Sequence, residues 1–442
     1  MKRKIEETLH AWKATEDDMR MPLVIQGARQ TGKTYAALGL GRESYLNTAY
    51  FNFEDTPALK GFFERTLRPA ELLPLLSAFC GQSIHRGQTL IVFDEIQACP
   101  RALTSLKYFY EQEPAYHLVA TGNLLGIALN REDVSFPAGK VAFCDLHPMD
   151  FEEFLWALGE KPLADAVREH SARVLAAPDV PESSFPLHAK GLALLREYLV
   201  CGGMPEVVDA RVRDGRPEIV LTKQKTINAA YVGDMAKYAT PDETMRITRV
   251  WDSMPRQLTK ENRKFQYRAI RSGARASEYE TALFWLEKAA LLNRCNRVSL
   301  AETPLVAYED PGFFKEYLLD SGILVSRLGI APSELTTDTK ALGAFEGMLA
   351  ENYVMQALVA HGLAPCYWAY GNQAEVEFVL QRPDGTVVPV EVKAGTRTGS
   401  VSLGTYRKRF RPPYCLRVTA QDFGFAGGIK AVPLYALFCL EL

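Results

Sequence analysis

Short apolar runs separated by helical segments mark the first third of the chain. Strand-like runs occur at Pro22–Gln26, Ala49–Phe53, Thr89–Phe93 and His117–Thr121, and an amphipathic helix is predicted over Ile5–Lys13. Short apolar strands that alternate with helices favour a parallel sheet that is buried on both faces. Right-handed crossovers bring the carboxyl ends of such strands to one edge of the sheet, where ligands bind. The pattern therefore predicts an α/β domain with a ligand site along that edge.

Helical periodicity replaces this alternation near Phe151. Helices are predicted over Phe151–Leu158 and Leu192–Val200, and the segment from Thr244 to Leu292 is helical in pattern and rich in positive charge. Strand-like segments return near the end of the chain, at Cys366–Tyr370, Glu375–Leu380, Val387–Val392 and Val432–Leu440.

The length and composition of the chain predict a globular protein with several domains. The 442 residues exceed an ordinary single domain, 47% of them are hydrophobic and 24% are charged. We place boundaries near residues 150, 240 and 335. The predicted parts are an α/β domain over 1–150, a helical lid or linker over 151–240, a second helical region over 241–334 and a C-terminal α/β domain over 335–442.

Charge and cysteine content narrow the class of protein. The formal net charge of -2 argues against a protein that coats nucleic acid, although a local basic groove is compatible with it. No apolar run reaches the roughly 18 residues of a membrane helix, and no apolar signal core follows the basic start. The eight cysteines form no CxxC pair, which predicts reduced thiols and a cytoplasmic location.

The segment Gly27–Thr34 (GARQTGKT) has the GxxxxGK[ST] spacing of a phosphate-binding loop, with an apolar strand before it and a helix after it. Glycines allow the backbone conformations in which successive N–H groups surround a phosphate, and the helix dipole points at the same oxygens. Lys33 is expected to reach the β- and γ-phosphates of ATP, and the Thr34 hydroxyl to bind Mg²⁺. The predicted nucleotide-binding residues are Gly27, Ala28, Arg29, Gln30, Thr31, Gly32, Lys33 and Thr34.

A second motif follows the third strand. Leu90–Glu95 (LIVFDE) is an apolar run that ends in two acids. We predict that Asp94 belongs to the magnesium shell and that Glu95 is the general base that activates water. The alternative, a solvated strand end, is disfavoured by the phosphate loop. A further strand, predicted at Ala49–Phe53, lies between the phosphate loop and the two acids. An intervening strand suits the branch of ATPases in which the general base is the residue next to the carboxylate of the metal shell.

Polar residues also end the fourth strand. Asn123, or failing it Thr121, is a candidate to hold the attacking water or to sense the γ-phosphate, and a simple turn is the alternative. Lys140 is a candidate cation for charge in the transition state, against the ordinary interpretation of a surface lysine. Arg29 is a candidate contact for a partner or a neighbouring domain.

These motifs together resemble a known family. The segments PLVIQGARQTGKT, LIVFDEIQ, VATGN and LHPMDFEEF are similar to those of prokaryotic AAA-superfamily ATPases that carry an uncharacterised C-terminal domain. Further matching segments are Tyr198-Leu199, Gly202–Glu206 (GGMPE), Gln257–Phe265, Phe314–Gly322, Glu346 and Glu351–Val354. The resemblance covers nearly the whole chain and implies an ATP-binding core, a helical middle and a separate terminal domain.

Acidic residues near the C-terminus form a second candidate site. Glu391 and Lys393 share one face of a predicted strand, Glu377 lies on the strand before it, and Glu351 lies in a preceding helix. Two carboxylates can hold Mg²⁺ near a scissile phosphate, while the lysine activates water. The alternative is a cross-strand Glu–Lys pair on a wetted sheet face. Residues 345–442 resemble the restriction-endonuclease-like PD-(D/E)XK fold, except that Glu377 stands where an aspartate is typical.

Two basic and aromatic clusters suggest contact with nucleic acid, because cations neutralise phosphates and aromatic rings stack on bases. The first contains Arg256, Lys260, Arg263, Lys264, Phe265, Tyr267, Arg268, Arg271, Arg275 and Tyr279, and the second contains Tyr406, Arg407, Lys408, Arg409, Phe410 and Arg411. The helices of the first cluster suggest a winged helix with Ser277–Leu286 as its recognition element. A solvated charged face with interdomain packing explains the same residues equally well.

Three functional hypotheses follow from the sequence. In the first, the N-terminal domain hydrolyses ATP with Mg²⁺, and its nucleotide state controls the nuclease-like C-terminal half, for which DNA or RNA is a candidate partner. In the second, the protein is a nucleotide-gated nucleic-acid-binding module with little turnover. In the third, ATP regulates a metal-dependent nuclease. The AAA resemblance implies either oligomers in which a neighbour supplies an arginine, or a monomer that switches between its own domains.

Overall fold

The computed structural model describes residues 1–123, 139–178, 184–260, 263–329, 340–371, 373–395 and 401–440, with 340–344 as backbone only. The chain divides into two compact units. The N-terminal unit comprises Lys2–His147 with Lys288–Ala290, and the C-terminal unit comprises Pro148–Glu287 with Leu291–Leu442. Among the helices of these ranges, none is both long and apolar enough to cross a membrane.

The N-terminal unit is a parallel α/β sheet. Its strands are β1 (Leu23–Gln26), β2 (Asn47–Asn52), β3 (Thr89–Asp94), β4 (His117–Gly122) and β5 (Ala142–Asp145), in the spatial order β2-β3-β4-β1-β5. Its helices are α1 (Ile5–Ala14), α2 (Lys33–Ser44), α3 (Lys60–Arg65), α4 (Pro69–Cys80) and α5 (Pro100–Gln112). All the strand pairs are parallel, as the alternating pattern predicted.

Burial on both faces explains why the central strands β3 and β4 are largely apolar. Every residue of β3 and β4 is buried. One face of the sheet packs against an aromatic cluster that includes Phe53, Phe63 and Phe93, and the other packs against α1 and α2 through residues such as Trp12 and Leu40. The strand that separates β1 from β3 is β4, whereas β2 lies at the sheet edge. The segment Ala49–Phe53 therefore lies between the phosphate loop and the two acids in the sequence, but its strand does not lie between β1 and β3 in the sheet.

The C-terminal unit begins with helices. They are α6 (Phe151–Ala157), α7 (Lys161–Ala176), α8 (His188–Cys201), α9 (Pro205–Arg213), α10 (Pro217–Tyr238), α11 (Pro241–Leu258) and α12 (Ala276–Lys288). Three later helices are α13 (Ser321–Leu328), α14 (Lys340–Ala360) and α15 (Val401–Phe410). The predicted recognition element Ser277–Leu286 lies within α12, which buries Tyr279, Leu283 and Leu286. The winged-helix interpretation stays a prediction.

A mixed sheet completes the C-terminal unit. Its strands are β6 (Leu292–Val298), β7 (Glu309–Leu318), β8 (Cys366–Tyr370), β9 (Ala374–Gln381), β10 (Val387–Lys393), β11 (Cys415–Thr419), β12 (Gly424–Ala426) and β13 (Ile429–Pro433). The spatial order is β12-β13-β11-β10-β9-β8-β6-β7. Strands β6 and β7 therefore pair in the same sheet as the strands that follow residue 335.

Two segments differ from their predicted secondary structure. Strands β6 and β7 occupy part of the region predicted to be helical. Their apolar alternation is weak because cross-strand ion pairs, such as Arg294–Glu316 and Arg297–Asp310, place charged residues within both strands. In the last segment, β13 ends at Pro433 and a 3₁₀ helix follows over Leu434–Cys439. Its burial accounts for the apolar run that suggested a strand.

A buried aspartate joins distant segments of the C-terminal unit. Asp320 is fully buried, and its carboxylate accepts hydrogen bonds from the Gly203 N–H at 2.6 Å and the Ile323 N–H at 2.9 Å. A Cβ atom on Gly203 would lie 1.9 Å from the carbonyl oxygen of Met149. The close approach of three chain segments explains why the GGMPE segment needs a glycine here.

Candidate functional site

The phosphate-binding loop adopts a conformation that its glycines make accessible. Gly27 has φ +147° and Gly32 has φ +95°, and Gln30 between them has φ 66°. A Cβ atom on Gly27 would lie 2.3 Å from the carbonyl oxygen of Leu146, so only glycine fits. Helix α2 begins at Lys33, directly after Gly32. The loop therefore connects the end of β1 to a helix N-terminus, as its spacing predicted.

Lys33 lies across its own loop. Its Nζ atom donates hydrogen bonds to the carbonyl oxygens of Gly27 at 3.1 Å and Ala28 at 2.7 Å. The Thr31 hydroxyl donates to the same Ala28 oxygen at 3.0 Å, and Lys33 and Thr31 are both buried. The lysine charge is thus held among the loop residues, where it can meet an anionic phosphate.

Asp94 is the centre of the polar network at the sheet edge. Thr34 donates a hydrogen bond to its Oδ1 atom at 2.9 Å, and Thr121 donates to the same oxygen. Tyr50 donates to Oδ2 at 2.6 Å, and Asn52 approaches that oxygen at 3.4 Å. Three strands and the phosphate loop therefore converge on one carboxylate.

Hydroxyl and carboxylate oxygens suit Mg²⁺, so Thr34 and Asp94 fit the role of metal-shell residues. The part of the chain that the structure describes contains no group of three or more His, Cys, Asp or Glu side chains able to hold a metal ion. Magnesium at this edge would therefore need phosphate oxygens and water to complete its shell.

Glu95 occupies a strained and partly buried position. Its φ of 51° is unusual for a residue with a side chain, and such strain is concentrated at functional sites. Burial raises the pKa of the Glu95 carboxyl, and a hydrogen bond from the Gln97 side chain opposes that rise. The Asn123 N–H in turn donates to Gln97 Oε1 at 3.2 Å. Asn123 is thus connected to Glu95 through Gln97.

Arg3, Tyr50, Asn52 and Gln97 also belong to this site, although the sequence did not single them out. The guanidinium of Arg3 donates hydrogen bonds to the carbonyl oxygens of Thr31 at 3.0 Å and His147 at 2.9 Å. Arg3 is only 6% exposed, so this cation supports the phosphate loop from within the unit. A basic residue near the chain start carries no local signal of such a role.

The Lys140 prediction is wrong for this structure. Its Nζ atom lies 3.5 Å from Glu111 Oε1 and 5.3 Å from the centre of the Tyr110 ring, near the end of α5. Helix α5 ends on the side of the sheet where β4 begins, opposite the carboxyl edge that carries Asp94. Lys140 therefore forms an ordinary surface ion pair.

The C-terminal acids are brought together but are paired with cations. Lys393 Nζ lies 3.6 Å from Glu377 Oε1 and 3.7 Å from Glu391 Oε1. Arg417 donates to Glu391 Oε2 at 2.9 Å. Burial raises the pKa of Glu377 to about 7, while the charge of Lys393 opposes the rise. Strands β9 and β10 thus place the predicted pair of carboxylates beside one lysine.

Glu351 belongs to a buried part of the same charged cluster. Its carboxylate accepts a hydrogen bond from Lys315 Nζ at 3.2 Å, and Arg263 and Tyr317 also donate to it. Lys315 additionally lies 2.8 Å from Glu375. Although burial opposes ionisation, the charges of Lys315 and Arg263 lower the pKa of Glu351. The residue is therefore a charge-paired anchor of α14.

The aromatic residues of the two basic clusters lie partly inside the core. Tyr406 packs fully buried against Trp368 and Phe410, and Tyr279 is also buried. These two rings are thus not available to stack on bases. Arg407, Lys408, Arg409 and Arg411 are exposed. A DNA or RNA partner stays a prediction.

Three family models match separate parts of the chain. Residues 19–155 match the family described as "AAA domain". Residues 192–334 match a domain of unknown function, DUF8612, and residues 346–437 match another, DUF4143. A search of curated proteins finds no match.

Similar solved structures share little sequence with this chain. The Walker-type ATPase PABY2304 of Pyrococcus abyssi is 15% identical, with a TM-score of 0.43, and the similarity covers 74% of this chain and 95% of that one. Cdc6p from Pyrobaculum aerophilum is 14% identical, with a TM-score of 0.28 and coverage of 76% and 95%. The Aeropyrum pernix ORC2 protein is 13% identical, with a TM-score of 0.29 and coverage of 75% and 92%.

The match over residues 19–155, together with the sheet order and the loop geometry, defines the class of the N-terminal unit. It is an AAA-type P-loop ATPase domain.

Proposed function

We propose that the N-terminal unit binds ATP and hydrolyses it with Mg²⁺. The observation that carries the proposal is the hydrogen bond between Thr34, in the phosphate loop, and Asp94, at the end of β3. It brings the predicted hydroxyl and carboxylate ligands to one point beside a lysine and a helix N-terminus. Magnesium, when bound there, would neutralise developing charge on the phosphates.

Each residue of the ATP site then has a separate role. The loop N–H groups and Lys33 bind the phosphates, and Asp94 with Thr34 holds the metal shell. Glu95 accepts a proton from the attacking water, because it directly follows Asp94 at the carboxyl edge of the sheet. Asn123 contacts the same network through its backbone.

ATP turnover by the purified chain tests this proposal. We expect Mg²⁺-dependent release of phosphate, loss of nucleotide binding in Lys33→Ala, and retained binding without turnover in Glu95→Gln. Thermal unfolding of each variant confirms that it is folded. Tight ATP binding and full turnover by Lys33→Ala would contradict the roles assigned here.

A second candidate function is metal-dependent phosphodiester cleavage by the C-terminal unit. It is favoured by the convergence of Glu377 and Glu391 on the Nζ atom of Lys393, since two carboxylates and a lysine can hold a metal and activate water. Plasmid DNA with Mg²⁺ is the substrate for the test, in the presence and absence of ATP. Equal cleavage by the wild-type chain, Glu391→Ala and Lys393→Ala would exclude this site.

A further inference from the structure

Basic side chains from three segments of the C-terminal unit form one surface near the start of strands β10, β11 and β13. These strands run parallel, so their first residues lie towards the same edge of the sheet. The segments are the turn before β10, the end of helix α15 and the start of β13. We call the set the basic surface, and its members are Arg382, Arg407, Lys408, Arg409, Arg411 and Lys430.

Direct contacts join the three segments. The guanidinium of Arg407 donates a hydrogen bond to the carbonyl oxygen of Gly427, at the tip of the β12–β13 hairpin, at 2.7 Å. Lys430 Nζ lies 4.5 Å from the centre of the Tyr414 ring, and Arg382 donates to the Tyr414 hydroxyl at 3.0 Å. The cations are therefore held on a folded surface and do not belong to a loose tail.

The charge of the basic surface is almost unbalanced. Among the described residues, the only carboxylate within ion-pair distance of its six cations is Asp384, whose Oδ2 atom lies 3.9 Å from Arg382 Nε. Burial, followed by the charge of Arg382, lowers the pKa of Lys430, so these two cations are close enough to repel each other. A bound anion would relieve this repulsion.

The helix dipole explains only part of this charge. Arg407, Lys408 and Arg409 lie in the last turn of α15, where cations interact favourably with the free carbonyl groups. Arg382 and Lys430 belong to a turn and to a strand, so no helix end accounts for them. The surface as a whole therefore needs a different explanation.

Aromatic rings lie among these cations and remain accessible. The side chain of Tyr370 is 46% exposed, and the guanidinium carbon of Arg409 lies 5.1 Å from the centre of its ring. Tyr414 and Phe425 are partly exposed, with Lys430 beside both rings. Cations bind the phosphates of a single strand while exposed rings stack on its unpaired bases. An acidic peptide matches the charge but offers no flat base to the rings.

Strand register separates the basic surface from the acids of the candidate nuclease site. Val390, Leu416 and Lys430 lie side by side on neighbouring parallel strands, and the next row pairs Glu391 with Arg417. Successive side chains of a strand point to opposite faces of the sheet. Lys430 and Glu391 therefore lie on opposite faces.

We propose that the basic surface binds single-stranded nucleic acid, with its cations on the phosphates and the Tyr370 ring stacked on a base. This function is separate from ATP hydrolysis and from cleavage at Glu391, because none of the six cations belongs to either site. Binding therefore needs neither ATP nor a divalent metal ion.

Fluorescence anisotropy of the full chain with a labelled oligothymidylate of about 16 nucleotides tests the proposal. The titrations are made without ATP and with EDTA, so a failure of ATP turnover would not alter the result. Each phosphate contact of a single strand contributes about 0.7 to the slope of log K against log salt concentration. Six contacts should therefore give a slope of about -4.

The double variant Lys408→Met/Arg411→Met removes two exposed cations and leaves the Arg407–Gly427 hydrogen bond in place. The slope should change to about -3, and the Kd at about 0.1 M salt should rise by at least about tenfold. Lys161→Met/Lys225→Met is the matched control, since it removes two exposed cations from α7 and α10 and should bind as the wild type does. Thermal unfolding verifies that both variants are folded.

Tyr370→Leu tests the stacking contact separately. It should raise the Kd for the oligothymidylate by about fivefold or more, and it should leave the salt slope unchanged. Absence of binding, or equal Kd values for the two double variants, would overturn the proposal. Tighter binding of a duplex of the same length, or of labelled polyglutamate, would assign the surface to another partner and would equally overturn it.

Discussion

The hydroxyl of Thr34 and the carboxylate of Asp94, sixty positions apart in the chain, are joined by a hydrogen bond of 2.9 Å. Thr34 lies in the first turn of helix α2 and Asp94 ends strand β3, so the parallel sheet brings the two motifs to one edge. Their proximity converts two separate sequence patterns into one site.

Tyr50→Phe should weaken the use of magnesium. The change removes the 2.6 Å hydrogen bond that holds Asp94 Oδ2, while the ring stays in place. Outer partners of metal ligands typically contribute about 10–100-fold to affinity or activity. We expect the Mg²⁺ concentration for half-maximal turnover to rise by at least about tenfold. Tyr35→Phe, on an exposed ring of α2, is the control, and equal magnesium curves for all three proteins would contradict the prediction.

Arg3→Met should weaken ATP binding. The buried guanidinium of Arg3 donates hydrogen bonds to the carbonyl oxygens of Thr31 and His147. The substitution removes both hydrogen bonds, so the phosphate loop is held less firmly. Calorimetry should find that the Kd for ATP rises about tenfold or more, because hydrogen bonds from charged groups are strong. Lys2→Met removes an exposed charge next to it and should bind as the wild type does. If both variants bind ATP equally, Arg3 has no role in the loop.

Gly203→Ala should destabilise the C-terminal unit. The added Cβ atom would lie 1.9 Å from the Met149 carbonyl oxygen, which forces the backbone apart. We expect a loss of at least about 2–3 kcal/mol in urea unfolding. Gly233→Ala is the matched control, since it lies within α10 with nothing within 4 Å of the new atom, and it should stabilise by about 0.5–1 kcal/mol. Similar effects of the two substitutions would disprove the steric argument.

Asp320 should make stability depend on pH. Burial raises its pKa to about 6 from the ordinary value of 3.8, against the backbone hydrogen bonds that lower it. Because the folded state binds the proton more tightly, this contribution to stability is complete below about pH 4 and is lost as pH rises through about 6. The difference corresponds to roughly 3 kcal/mol.

Asp320→Asn cannot titrate, so its free energy of unfolding should lack this dependence. Unfolding of both proteins in urea, at about pH 4 and about pH 7, measures the difference. The penalty of the substitution should therefore be larger at the acidic pH. Parallel pH curves for the two proteins would show that Asp320 does not titrate in this interval.

Lys315→Met should be strongly destabilising. The substitution leaves the buried carboxylate of Glu351 without one of its cations. Breaking one partner of a buried ion pair typically costs about 3–5 kcal/mol. Lys408→Met, at an exposed position of α15, should change the free energy of unfolding by less than about 0.5 kcal/mol. Equal stability of both variants would show that the pair contributes nothing.

Local rules explain which parts of the site could be predicted from the sequence. Gly27 and Gly32 need backbone conformations that other residues avoid, and their spacing with Lys33 is short. Asp94 and Glu95 directly follow an apolar run, so the same short segment predicts both the strand and the position of the acids at its end. Such short-range patterns predicted the phosphate loop, strand β3 and the separate roles of Asp94 and Glu95.

The polar strands illustrate the limit of the same rules. Leu292–Val298 is rich in Asn and Arg, and its pairing partner supplies the compensating acids. Apolar alternation is therefore absent although a strand forms. The apolar run before Cys439 shows the converse, because burial by surrounding elements suits a 3₁₀ segment as well as a strand.

The chain's own residue order established the phosphate loop, the paired acids and the alternating strands, because each depends on neighbours a few positions apart. Arg3, Tyr50 and Gln97 entered the site only through folding. Their partners are distant in sequence or belong to another strand, and a hydrogen bond between such groups leaves no periodic trace along the chain. The pairing of the C-terminal acids with Lys315, Lys393 and Arg417 has the same origin, since sheet register sets which charges meet.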